Sequence, residues 1–303
     1  MPETKEQKSV TIIQETAIPA KIARRPSYTD MFESFSWLLS TCVLFTWYNA
    51  IGELASRRGL DYAWVFDAWT YNFDRSVPLV PSFVFVYIAV YAMPAAFLAC
   101  TVYKYGYDMG IVRRFFVTQM AMIVMAFCFY YAFPTKTDLI TDPLTGEIDI
   151  DISSTWIHRL NYRFIHQGIS MWVASPSMHT AHSWAIAMDF TMLELPGKRA
   201  AQALALLTLF STILCKPHGP PHLLQGAILA YLVHVYLSRK MFAGKYLEGT
   251  YNFRLLLAVA VPVAFHLIGQ YLAKISGWHI DIPVMLGFDH RIPGGFKLGL
   301  YGF

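Results

Sequence analysis

Two short stretches hold the side chains best suited to chemistry. In WVASPSMHTAHSWAIAM, Trp172 to Met188, His179 and His182 follow Ser175-Pro176-Ser177 and precede an apolar run. In CKPHGPPHLLQGAILAY, Cys215 to Tyr231, Lys216, His218 and His222 precede another, and Pro217, Pro220 and Pro221 stiffen the approach. Imidazole changes charge near neutral pH, so it can serve as nucleophile, acid or base. A helix start adds unpaired N–H groups and the positive end of a dipole, and a cation with an imidazole there makes a seat for phosphate. Ser175 and Ser177 are candidate caps, which places His179 in the first turn of the helix that follows. Taken alone, each stretch reads as ordinary helix capping. Their meeting on one side of a membrane is what favours a joint site.

That meeting depends on the elements around them. The chain is 55% hydrophobic and 15% charged, far more apolar than a soluble domain of its length. Apolar runs long enough to enter a bilayer recur at 35–51, 81–103, 115–133, 181–195, 200–215, 223–237 and 255–273. The fourth to sixth are short and are expected to pack inside the bundle. The reading is an all-α, polytopic membrane helix bundle over 33–275, with a polar arm at 1–32 and a tail at 276–303. The arm lacks an apolar core and does not read as a cleavable signal peptide. Cys42, Cys100, Cys128 and Cys215 fall in or beside the runs, so no disulfide framework is expected. The net charge of +4 comes without a basic face or an aromatic recognition motif, so no nucleic-acid partner is expected. The expected partners are the membrane and a lipid or isoprenoid substrate.

With seven spans, Lys and Arg divide 14 to 10, and the richer side carries the N-terminus, Lys104, Arg113, Arg114, Lys198 and Arg199. This bias puts the N-terminus in the cytoplasm. The segments around His158, His166, His179, His182, His218 and His222, six of the ten histidines, then open on the non-cytoplasmic side. His234 and His266 lie inside runs, where a hydrogen-bonded contact between helices is the plain reading. His179 with His182 and His218 with His222 offer four imidazoles to a metal. Gly219, Pro220 and Pro221 break the helical register that the second pair needs, so no metal or other cofactor is expected.

Pro176-Ser177-Met178-His179 resembles the Pro-Ser-x-His motif of the type 2 phosphatidic acid phosphatase superfamily. Lys216-x5-His222 resembles its later Arg-x5-His element. The approach FDRSVPLVPSFVFVYIAVY, Phe73 to Tyr91, and FPT at Phe133 to Thr135 are most similar to the branch that contains inositol phosphorylceramide synthase. The resemblance covers roughly 65–240. It implies a six-helix core with one added C-terminal span, and a metal-free phosphatase or phosphotransferase acting on a lipid phosphate or prenyl diphosphate. It further implies His222 as nucleophile, His179 as general acid and Lys216 as a phosphate contact. Lys136, Ser177, His182, His218 and Gln225 complete the candidate substrate-binding set.

Two positions differ from the pattern. PTKTDLITDP offers Lys136 without the family's Arg-Pro, so the planar two-pronged clamp is replaced by point charges. Gly226 stands where an Asp would orient the nucleophile, and loss of such a carboxylate can cost about 10⁴ in rate. Asp189 lies nearly three turns beyond His179 and is too far to substitute. Asp138, Asp142 and the acidic run at 146–152 could fold over the site. At 226 the glycine is expected to leave open substrate space, one turn from His222 on the same face. The alternatives are an acid–base enzyme, such as a cyclase, on an isoprenoid-type substrate, or a non-catalytic lipid-binding protein.

The topology is testable by tagging. Tags at residue 1 and in the 198–199 loop should be cytoplasmic, and one near Glu147 should not. Protection of the 147 tag from protease added on the outside would refute the arrangement.

Overall fold

The computed structural model describes residues 26–58, 76–135, 155–161, 165, 172–238 and 251–276. Three of the helices start on a side-chain cap, and two others start on proline. α1 (Tyr28–Ser56) opens on Ser27, whose hydroxyl accepts from the Asp30 N–H while Asp30 accepts from the Ser27 N–H, a reciprocal cap. It begins inside the stretch expected to be polar arm. α2 (Pro81–Tyr105) starts on a proline, which fits a first turn because its missing N–H has no partner there anyway. α3 (Met109–Ala132) is capped by Asp108, which accepts from the Gly110 N–H at 2.8 Å. A short α4 (Trp156–Asn161) follows. α5 (Met178–Met192) is capped by Ser177, and α6 (Lys198–Leu214) by Gly197. α7 (Pro220–Leu232) opens on two prolines and continues as a π-helical stretch, Val233–Ser238. α8 (Tyr251–Ser276) is the last described element.

Regular secondary structure among the described residues is helical. α2, α3 and 259–276 of α8 are long and apolar enough to cross a membrane, with mean hydropathies of 2.1, 1.7 and 1.3. This marks a helical membrane protein. α5, α6 and α7 are shorter, at 15, 17 and 13 residues, as the sequence suggests. Of these three, α5 is the one mostly buried. Leu206, Leu207 and Phe210 on α6 and Leu224, Ile228 and Tyr231 on α7 face outward, so these two helices are not enclosed as expected.

Successive long helices alternate in direction, and contacts at their ends fix the order. At one end Glu33 of α1 takes a two-pronged ion pair from Arg113 and a hydrogen bond from the Trp37 indole, with Arg113 Nη2 at 2.9 Å. Beside it Arg114 reaches Asp189 at 2.6 Å, and His234 Nε2 meets the same carboxylate at 3.1 Å. Lys104 and Tyr105 close this end on the Leu193 carbonyl, at 2.9 and 2.7 Å. At the other end Arg57 donates to the Ile275 carbonyl at 2.8 Å and also to that of Ser276, and Arg58 donates to those of Tyr131 and Ala132. These arginines satisfy the unpaired last carbonyls of α8 and α3. Tyr48 donates to the Val173 carbonyl at 3.1 Å and Tyr130 to that of Pro176 at 2.8 Å.

Arg113 and Arg114 therefore sit inside α3, 6% and 4% exposed, rather than in a loop. Their charges answer Glu33 and Asp189, so they do not belong in the loop count, and the richer side falls from 14 to 12. His234 makes the interhelical contact expected of it. His266 does not: it is exposed and meets Gln270 of its own helix at 2.9 Å.

Breaking one partner of a buried ion pair strands the other charge and typically costs about 3–5 kcal/mol. Arg114→Met should lower the melting temperature of the detergent-purified protein sharply, while Arg114→Met with Asp189→Leu should recover most of the loss. An unchanged melting curve for the single variant would show that the pair adds no stability.

Candidate functional site

The starts of α5 and α7 are joined through the backbone. The Ser177 N–H donates to the His222 carbonyl at 2.9 Å. Gly226, one turn into α7, lies against the same corner. A Cβ at 226 would fall 2.4 Å from the Ser177 carbonyl oxygen and 3.1 Å from Thr180 Cβ. Only a glycine lets the two helices approach this closely. The position is thus filled by the opposing backbone and is not open substrate space, which corrects the expectation for Gly226.

Each site side chain has a specific setting. Ser177 caps α5, its hydroxyl accepting from the Thr180 N–H at 3.4 Å, while Ser175 is buried and does not share in the capping. His179, 9% exposed, stands in the first turn of α5. Its ring stacks on Tyr87, with centroids 3.8 Å apart, and its Nε2 lies 3.0 Å from the Tyr91 hydroxyl. His182, three residues on, faces elsewhere. Its Nδ1 bonds the Gln119 side-chain oxygen on α3, and its ring lies 5.4 Å from that of Phe45 on α1. The two α5 histidines therefore do not share a working face, so His182 is not a ready substitute for His179.

The α7 approach sets two imidazoles in opposite senses. His218 Nδ1 lies 2.8 Å from the Ala174 carbonyl. A carbonyl only accepts, so this nitrogen carries a proton and the neutral ring keeps its lone pair on Nε2. His222 Nδ1 is 3.2 Å from the Gly219 N–H, a donor, so here Nδ1 holds the lone pair and Nε2 bears the proton. The rings are 6.0 Å apart, nearly perpendicular, and both are buried. One imidazole is thus poised to accept at Nε2 and the other to donate. In this tautomer the lone pair of His222 is on Nδ1, engaged by the Gly219 N–H.

Lys216 is buried, and its ammonium donates to the Val77 carbonyl at 2.7 Å. Its backbone φ is +70°, a left-handed conformation uncommon outside glycine and a mark of functional or tightly constrained loops. Gln225 is half-buried on α7. His158 meets Thr155 at 2.7 Å at the start of α4. Lys136, Asp138, Asp142, His166, His279, His290 and 146–152 lie outside the described residues. Among the described residues, no three His, Cys, Asp or Glu side chains gather as a metal site.

Tyr87, Tyr91 and Gln119 are the contacts that sequence reasoning passed over. Signals for them existed. Tyr87 and Tyr91 are spaced i, i+4 on one helix face, and Gln119 is a lone amide in the apolar run FFVTQMAMIV. No family model, curated protein or solved structure matches the chain.

A side chain at 226 tests the joint directly. Gly226→Ala should cost about 1–3 kcal/mol through overpacking against fixed backbone. Gly226→Asp should be worse and should not raise any activity. The readouts are melting temperature and the yield of monodisperse protein. A Gly226→Asp variant as stable as the parent would refute the contact.

Proposed function

We propose that this chain is an integral membrane enzyme that acts on a lipid phosphate or prenyl diphosphate by histidine chemistry, at the joined starts of α5 and α7. The observation that carries the reading is the complementary setting of His218 and His222. One neutral imidazole presents a lone pair and its neighbour an N–H, in a buried corner where His179 stands at an adjoining helix start. A nucleophile or base beside a donor is what phosphoryl transfer asks of a protein without a metal. On this reading His218 Nε2 attacks phosphorus, His222 Nε2–H holds a phosphoryl oxygen, and His179 serves the leaving oxygen. Ser177, Lys216 and the α7 dipole give the corner its polar and positive character. The roles of His218 and His222 are thereby exchanged relative to those implied by the motif resemblance. The six-helix core of that superfamily, with α8 added, remains the architecture we propose, with the N-terminus cytoplasmic and the site on the opposite face.

A second reading is favoured by Gly226. The Ser177 carbonyl occupies the place where an orienting carboxylate would stand, so the site is built without one. An acid and a base without that carboxylate suit proton relocation on an isoprenoid, as in a cyclase.

The deciding experiment assays purified protein against a panel of lipid phosphates and prenyl diphosphates, reading phosphate release and product mass together. Phosphate release lost by about 10²-fold or more in His218→Ala supports phosphotransfer. Isomeric products without phosphate release support the second reading. Turnover of neither kind would reject both enzyme readings and leave lipid binding. Phosphate release with a phosphohistidine mapped to His222 would restore the roles implied by the motif.

A further inference from the structure

His179 is buried, yet its polar contact reaches the surface. Tyr91, whose hydroxyl sits 3.0 Å from His179 Nε2, is 56% exposed on α2, a helix apolar enough to face lipid. His218, His222, Lys216 and Ser177 are at most 6% exposed. Tyr91 thus gives the site's buried histidines a polar contact on an exposed helix face. Its level in the bilayer follows from α3. Tyr130, two residues from the end of that membrane-length helix, donates to Pro176, so the start of α5 lies near a membrane interface. Tyr91 is the eleventh of the 25 residues of α2, and its hydroxyl is given to the buried imidazole of His179. Below it, in line at i+4 and i+8, Ala95 and Ala99 are exposed, flanked by exposed Ala92 and Ala96. They form a shallow strip suited to a hydrocarbon chain.

We propose that Tyr91 is the group through which His179 meets its substrate, and that a lipid phosphate reaches it sideways from the bilayer, its chain along the alanine strip and its phosphate at the hydroxyl. This rests on the phosphotransfer reading above. The proton balance is simple. The P–O bond to the leaving oxygen breaks with its electron pair on that oxygen, while the His218 Nε2 lone pair forms the new bond to phosphorus. His179 takes up a proton as the anionic phosphate binds; Tyr91 then passes its hydroxyl proton to the leaving oxygen and takes one from Nε2–H of the His179 imidazolium. Tyr91 ends as it began, and His179 ends neutral.

The test uses the full chain in phosphatidylcholine nanodiscs, with tyrosine labelled at Cζ and histidine at nitrogen for NMR. Tyr91→Phe assigns the Tyr91 signal by its loss and should shift the His179 Nε2 signal. Should that variant not purify, Tyr91→Trp makes the assignment. Adding dioleoyl phosphatidic acid to the bilayer should move both signals, and glycerol 3-phosphate in the water at equal concentration should not. Equal movement by the soluble phosphate would show a site open to water and overturn the proposal, as would no movement with either. With a substrate that turns over, Tyr91→Phe should lower kcat by about 10²-fold with KM within about twofold. Unchanged kcat would remove Tyr91 from the proton path. Shifts with phosphatidic acid but no turnover of any phosphate would reject the enzyme reading and leave the lateral route standing.

Discussion

The approach of α7 to α5 at Gly226 is the constraint on which the candidate site depends. With no side chain at 226, the Ser177 carbonyl can lie against α7, and the Ser177 N–H can reach the His222 carbonyl. That bond holds the cap of α5 beside the first turn of α7. His179 is thereby brought to the same corner as His218 and His222. The close approach also excludes a carboxylate from the place where one would orient an imidazole. Backbone groups orient the rings instead, the Gly219 N–H setting that of His222 and the Ala174 carbonyl that of His218.

Much of the architecture is written in the apolar runs. Their order, the short middle three and the placement of His179 behind a Ser177 cap all follow from composition and capping rules. The failures have physical causes. Arg113 and Arg114 look like loop residues because charge marks the end of an apolar run, but each meets a carboxylate from a helix distant in sequence, which no local pattern announces. The runs of α6 and α7 are short and weakly apolar, yet Leu206, Phe210, Leu224 and Ile228 gather on outward stripes. At the site, residue types were legible and roles were not. Whether an imidazole accepts or donates depends on which nitrogen meets which backbone group, and sequence does not carry that.

The two ends of the bundle use polar groups in opposite ways. At the Glu33 and Asp189 end, full charges are paired and hydrogen-bonded, an arrangement that holds geometry and resists change. At the His179 end the buried groups are mostly imidazoles and hydroxyls, which donate and accept hydrogen bonds without carrying charge. Polar residues inside a membrane protein are costly, so this division is informative. One end serves as a clamp. The other holds neutral donors and acceptors.

The pairing of α1 with α8 has a consequence for how the chain is made. α8 packs along α1, with Gly269 admitting the Trp47 indole and Phe265 lying edge-on to it, and Arg57 reaches carbonyls 218 and 219 residues later. During synthesis α1 is made long before its partner exists. Until then its tryptophan face is without its final neighbour. The packing of α1 on α8 forms only once residues 251–276 are made, a contact of very long sequence separation, the kind that slows folding. A ribosome that stalled before residue 251 would leave most helices made and the first one without its cover.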